Sequence, residues 1–303
     1  MRSIPSSVNE EGATHFTLVE KEVALFNKTT ELRAKGLSNP EIARELGVNI
    51  DRVRAWARGE KPKRVHRYEP DLTPSKDLAY VAGFYLGDGK DAGEEHKVRF
   101  ELADREQLEY VGGLVAKILE RDPKPLGLDG AFYTVQYDSV ILSDFLNQDV
   151  EALVEYLQTF VQDFLRGFFD AEGHVSAVID FNSSALESIL VGAANTNNEY
   201  LSSAAGILAN LGIKAKIRRT NRRGEVMTIR GRSWIRKRDV YHCVIVGWVQ
   251  VRNFCGLVGF HNEAKAEKLE DLVRIGNKSP QARFAWFMAN YEKRGRKWVK
   301  RAR

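Results

Sequence analysis

One segment occurs twice, and that repeat constrains the fold more than any other feature. Asp77-Leu-Ala-Tyr-Val-Ala-Gly-Phe-Tyr-Leu-Gly-Asp-Gly89 and Gln162-Asp-Phe-Leu-Arg-Gly-Phe-Phe-Asp-Ala-Glu-Gly173 are both apolar and of helix length, and both end in an acid followed by glycine. Each carries small residues four apart, Gly83/Gly87 in the first and Gly167/Ala171 in the second. Residues at i and i+4 share a helix face, so each pair makes a flat strip where another backbone can approach closely. Strip packed on strip sets Asp88 beside Glu172 at the C-terminal ends of both helices. Two carboxylates there face the negative ends of two helix dipoles and each other, an arrangement that calls for a cation. Hard oxygen donors with few nitrogen or sulfur partners favour Mg²⁺ over zinc or iron.

The segments downstream of the two motifs also correspond. After the first, Val98, Phe100 and Leu102 alternate with Arg99, Glu101 and Ala103 as in a half-buried strand, and Asp104 caps a helix through Leu108, Val111, Val115 and Leu119. After the second, a β-like stretch ends at Thr196, read as the cap of a helix through Tyr200, Leu201, Ile207, Leu208 and Leu211. Phe132 to Leu146 resembles Val240 to Cys255 with one residue of slip. The expected unit is helix, two strands, helix, two strands, helix.

On these residues the chain resembles a two-motif LAGLIDADG homing endonuclease over roughly residues 76 to 275. The motif positions are Val81-Ala-Gly-Phe-Tyr-Leu-Gly-Asp-Gly89 and Leu165-Arg-Gly-Phe-Phe-Asp-Ala-Glu-Gly173. The resemblance implies an α+β fold: two pseudo-twofold αββαββα repeats form a saddle of antiparallel sheets that straddles the DNA major groove. It also implies that Asp88 and Glu172 are catalytic and bind divalent metal, with the carbonyls of Gly87 and Ala171 as further ligands. Mg²⁺ is the expected cofactor, with Mn²⁺ as an alternative and Ca²⁺ as a non-cleaving substitute. The implied reaction is hydrolysis of both strands of a long asymmetric double-stranded DNA target by a monomer. A lysine or glutamine that orders water is implied near the metals; Lys90, Lys97, Glu101, Gln136 and Lys265 are candidates, and no local pattern selects among them. The alternatives are a cleavage-inactive relative acting as a DNA-binding regulator, or a maturase that binds intron RNA.

Upstream, Leu18, Leu25 and Leu32 recur every seven residues and predict a helix ending near Gly36. Ser38 to Arg58 then has the grammar of a helix-turn-helix: Ser38 or Asn39 as cap, Pro40 in the first turn, Ile42, Ala43 and Leu46 inward, Gly47 in the turn, and Val53 and Trp56 anchoring a second helix. In such a module the second helix enters the major groove, which makes Asn49, Asp51, Arg52, Arg54 and Arg58 candidate contacts. Pro62, Pro70 and Pro74 among basic residues make a linker, in which Lys63 and Arg64 lie along phosphates or in solvent. The domains expected are a small all-α unit at 1–60, the linker at 61–75, and repeats at 76–160 and 161–303.

Net charge is only +5, so the placement of charge matters more than its sum. Lys214 to Arg238 holds eleven basic residues and one acid, Glu225, and reads as part of an extended β-arm over DNA spanning Ile213 to Val246. Its Arg218, Arg219, Arg222, Arg223, Arg230, Arg232, Arg236 and Arg238 join Arg99, Glu101 and Gln136 as DNA-binding candidates. Phosphate contacts give salt-dependent affinity and guanine-edge contacts give sequence choice. Arg283 to Arg303 reads as a C-terminal helix whose aromatics pack on the core, with its last eleven residues on phosphate or loose. Cys243 and Cys255 are too few for a disulfide framework or a zinc site. Gly87-Asp-Gly-Lys90 lacks the P-loop frame. His174 beside Glu172 either touches the metal site or is a satisfied surface histidine. His261-Asn-Glu263 reads as a helix start. With no apolar leader or span, the expected location is the cytoplasm, in contact with the nucleoid, or an organelle, and not outside the cell. The first and last residues argue against an intein, so a freestanding or intron-encoded enzyme is expected.

Overall fold

In the computed structural model, which describes residues 15–60, 70–91, 97–229, 232–295 and 297–301, three helices come first. These are α1 (His15–Ala34), α2 (Asn39–Leu46) and α3 (Ile50–Ala57). Ser38 and Glu41 form a capping box at the start of α2, and Gly47 takes the left-handed conformation (φ 63°) that ends it. Asn49 accepts the Asp51 N–H at 2.7 Å and so caps α3. Leu32, Ile42, Ala43 and Val53 make a core separate from that of the rest of the chain. Phe26 meets the buried Trp56 edge-on at 6.0 Å.

From Lys76 the chain repeats one pattern twice. The first pass is α4 (Lys76–Asp88), β1 (Gly89–Asp91), β2 (Lys97–Leu102), α5 (Arg105–Ile118), β3 (Gly127–Asp129), β4 (Phe132–Asp138) and α6 (Val140–Leu146), then α7 (Val150–Tyr156). The second is α8 (Val161–Glu172), β5 (Gly173–Asp180), β6 (Ala185–Asn195), α9 (Asn198–Asn210), β7 (Ala215–Asn221), an inserted hairpin of β8 (Val226–Ile229) and β9 (Arg232–Ile235), then β10 (Val240–Val246), α10 (Trp248–Leu257) and α11 (Glu263–Arg274). The sheet orders correspond, β1-β2-β4-β3 and β5-β6-β10-β7, and every pairing is antiparallel. Alternate residues explain how each sheet is half-buried: Val98, Phe100, Val135 and Tyr137 lie against the helices, as do Val175, Val191, Ala193, Cys243 and Ile245.

Three expectations change. Asn197, not Thr196, caps α9, its side chain accepting the Glu199 N–H at 2.9 Å; both residues are good caps and local preference does not separate them. The strand-to-helix passages β4–α6 and β10–α10 match without slip, each a seven-residue strand, one linking residue and then a helix. The C-terminal helix, α12 (Pro280–Asn290), starts before Arg283, and the basic tail, expected on phosphate or loose, folds back as a hairpin of β11 (Tyr291–Arg294) and β12 (Lys297–Lys300). Gly295 (φ 62°) makes that turn, Tyr291 stacks on Phe287 at 4.7 Å, and Lys300 pairs with Asp271 at 2.8 Å. Among the described residues no helix is long and apolar enough to cross a membrane.

Candidate active site

The site is built where α4 crosses α8. A Cβ on Gly83 would collide with the Phe164 carbonyl oxygen, and one on Gly167 with the Tyr80 carbonyl oxygen, so the two backbones touch at their glycines. One turn further on, a Cβ on Gly87 would collide with Ala171 Cβ and stand 2.9 Å from Glu172 Cγ. The small-residue strips therefore deliver Asp88 and Glu172 to one place, each as the last residue of its helix.

Their environment is hostile to charge. Burial pushes the Asp88 carboxyl up to about 6, opposed by the Lys265 charge. Burial first and the Asp88 charge second push Glu172 up to about 8, opposed by the Asn195 amide, which donates to Glu172 Oε1 at 2.6 Å, and by Lys265. Lys265 comes from the first turn of α11, and its Nζ donates to the Asp170 carbonyl oxygen at 2.6 Å, at the C-terminal end of α8. Burial holds its pKa below the ordinary lysine range, against the pull of Asp170, Asp88 and Glu172.

Asp170 sets the position of that lysine. Its buried carboxylate accepts the Tyr80 hydroxyl at 2.7 Å and the backbone N–H groups of His261 and Asn262 at 2.9 and 3.1 Å, which fixes the start of α11 against both motif helices. Gln107 donates to the same Tyr80 oxygen, and the Asn262 side chain donates to Asp104, the cap of α5. Asn262 is also the cap of α11, so the helix start read at His261-Asn262-Glu263 is there. The supporting groups are one-sided: where the second pass has Asp170, Asn195 and Lys265, the first has Leu86, Leu102 and Ala152 by motif position, strand register and distance from the helix cap.

Among the described residues no group of three or more His, Cys, Asp or Glu could hold a metal. A pair of carboxylates does not fit an all-protein calcium or zinc cage, but it fits Mg²⁺, which keeps waters and phosphate oxygens beside one or two carboxylates. The desolvated like-charge pair is itself the observation that suits a cation. Gly87 and Ala171, the residues before the acids, meet at the crossing.

The other candidates are spread over several surfaces. Arg99 and Glu101 lie on β2, paired at 3.3 Å, with Gln136 opposite Arg99 on β4. Lys97 is on the same strand, and Lys90 lies on β1 opposite Arg99. On α3, Asn49 is the cap, Arg54 pairs with Asp51 at 3.0 Å and Arg52 lies over Trp56. Arg58 pairs with Glu60 at 2.9 Å. Arg218 and Arg219 are exposed on β7, with Arg219 on Asp239; Arg222, Arg223, Arg236 and Arg238 flank the inserted hairpin, and Arg232 opens β9. Lys63, Arg64 and Arg230 lie outside the described residues. His174 is half-buried on β5, 6.2 Å from the ring of His242, and burial and its cationic neighbours hold its pKa down.

Fold and site define a mixed α/β chain with two antiparallel sheets about a helix pair that ends in two acids. Residues 159–259, within the second pass, match a family model described as a LAGLIDADG-like domain. The uncharacterized protein MJ0398 of Methanocaldococcus jannaschii is 28% identical over 254 residues, 78% of this chain and 86% of that protein. A glutamine–fructose-6-phosphate aminotransferase (isomerizing) of the same organism is 23% identical over 214 residues; the match covers 66% of this chain but only 18% of the enzyme's length. Among solved structures, the homing endonuclease I-DmoI in complex with DNA and Ca is 17% identical, with a TM-score of 0.47, covering 65% of this chain and 98% of that one.

Proposed function

We propose that the chain is a monomeric, site-specific, divalent-metal-dependent DNA endonuclease of the homing type, in which the two passes act as pseudo-twofold halves of a DNA saddle. One observation carries this reading: two glycine-lined helices bring Asp88 and Glu172 together, half-buried and partly desolvated, beside the half-buried Lys265. The match to the LAGLIDADG-like domain supports it. So do the basic strands and hairpin between Ala215 and Val246.

Asp88 and Glu172 would hold the cation, Mg²⁺ or Mn²⁺, which when bound supplies Lewis-acid stabilisation of charge on phosphate oxygens. Asn195 holds Glu172 Oε1 in place through its amide hydrogen bond. Lys265, held by helix-end carbonyls, adds a positive charge and N–H donors at the pocket edge, where it can order a water. Among the water-ordering candidates whose side chains are described, it is the one whose charge acts on both acids. The capped α2–α3 pair acts as a helix-turn-helix that anchors the enzyme on flanking DNA, and the β8–β9 hairpin extends the contact along phosphates.

The test is selection of cleaved ends from a random-sequence duplex library in Mg²⁺. The reading predicts that the wild-type chain yields double-strand ends of one sequence, and that Asp88→Asn binds that duplex without cutting it. Equal cutting by both proteins, or none by either, would overturn it.

A further inference from the structure

The two sheets turn unlike faces away from the helices. On the first, the outward pairs between β2 and β4 are Lys97 with Asp138, Arg99 with Gln136 and Glu101 with Thr134, all polar, with Phe132 (46% exposed) at the end of β4 on the same face. On the second, the outward rows are His174, Gly192, Val244 and Lys216; Ser176, Leu190 and Val246; Val178 and Ser188; and Ala194, His242 and Arg218. Apart from Lys216 and Arg218 on the edge strand β7, these paired positions carry no formal charge and no acid. Val246 is 50% exposed and Val178 40%, and Gly192 lets His174 and Val244 close over the sheet, since a Cβ there would stand 2.8 Å from His174 Cε1 and 3.2 Å from Val244 Cγ1. This face begins at the carboxylate site, because β5 starts one residue after Glu172. It runs out beneath the basic edge of β7, which favours a polyanion as its occupant.

We propose that the second sheet favours thymine in its half of the target by packing Val178, Leu190, Val244 and Val246 against thymine methyl groups. The inference rests on the double-stranded-DNA reading above. The thymine methyl is the apolar group on the major-groove edge, and the apolar cluster of Val178, Leu190, Val244 and Val246 can distinguish thymine by it. Arg99 and Gln136 on the first sheet are the residue types that pair bidentately with guanine and adenine.

Deoxyuridine isolates the effect, since it keeps every hydrogen-bonding group of thymidine and lacks only the methyl. Duplexes bound by the full chain are selected from a random library in Ca²⁺, and thymidine is then replaced by deoxyuridine in one half-site at a time. Affinity is expected to fall about fourfold per buried methyl in one half-site only, from the usual worth of a buried carbon. Val246→Ser is expected to remove part of that loss, whereas Arg99→Ala should weaken selection in the other half. Enriched duplexes indifferent to deoxyuridine, or equally sensitive in both halves, overturn this inference and leave the DNA reading standing. Failure to enrich any duplex overturns both. If Val246→Lys abolishes self-association and leaves DNA binding unchanged, the face is a protein interface and the inference fails.

Discussion

Replacing Glu172 by glutamine removes a charge while keeping the shape, and the pocket determines the effect on stability. Burial and the Asp88 charge push Glu172 up to about 8, against an ordinary value of 4.5. A carboxyl whose pKa is higher folded than unfolded binds more protons in the native state. Its contribution is therefore fully present below pH 4.5 and is lost as the pH rises through 8. At about 1.4 kcal/mol per pKa unit, the native state at neutral pH gives up about 3 kcal/mol relative to acid. Glutamine does not titrate and can still accept the Asn195 amide hydrogen bond. In chelator at pH 8 the variant should therefore melt about 4–8 °C above wild type, a difference that shrinks toward zero near pH 4.5. Thermal unfolding monitored by circular dichroism at both pH values reads this directly. A variant no more stable than wild type at pH 8, or one that gains equally at both, would refute the shared desolvated pocket.

Gly167→Ala pushes a methyl into the Tyr80 carbonyl and should cost about 3 kcal/mol or more, whereas Gly113→Ala, on a helix with open space around it, should be neutral or stabilising by up to about 1 kcal/mol; urea titration compares them. Asp170→Ala orphans one hydroxyl and two backbone N–H groups, and is expected to destabilise by about 3 kcal/mol, with hydrogen exchange rising first at the start of α11. Lys265→Met should leave DNA affinity within about twofold and slow cleavage by about a hundredfold, measured with the selected duplex in single-turnover assays.

Much of the site was legible because its decisive signal is local. Small residues four apart and a terminal acid specify a close crossing and its cargo within thirteen residues, and the alternating strands after each motif are local in the same sense. Lys265 was visible only as one of five candidates, because it reaches Glu172 through the fold and not along the chain. Asp170 lies inside the motif, yet its partners Tyr80, His261 and Asn262 are about ninety residues away, so nothing nearby marked its role. Asn195 lies 23 residues beyond Glu172, and only the β5–β6 pairing brings it back to that carboxylate. At the C-terminus the basic run read as a tail on phosphate or loose, whereas Gly295 between two short basic runs makes a turn and the Tyr291–Phe287 stack holds the hairpin down.

If Asp88 and Glu172 jointly hold a divalent ion against DNA, anomalous diffraction from a crystal of the full chain with its selected duplex and Mn²⁺ locates that ion. The expected result is a manganese peak contacted by both carboxylates where α4 and α8 end. Manganese bound elsewhere, or touching neither acid, would contradict it.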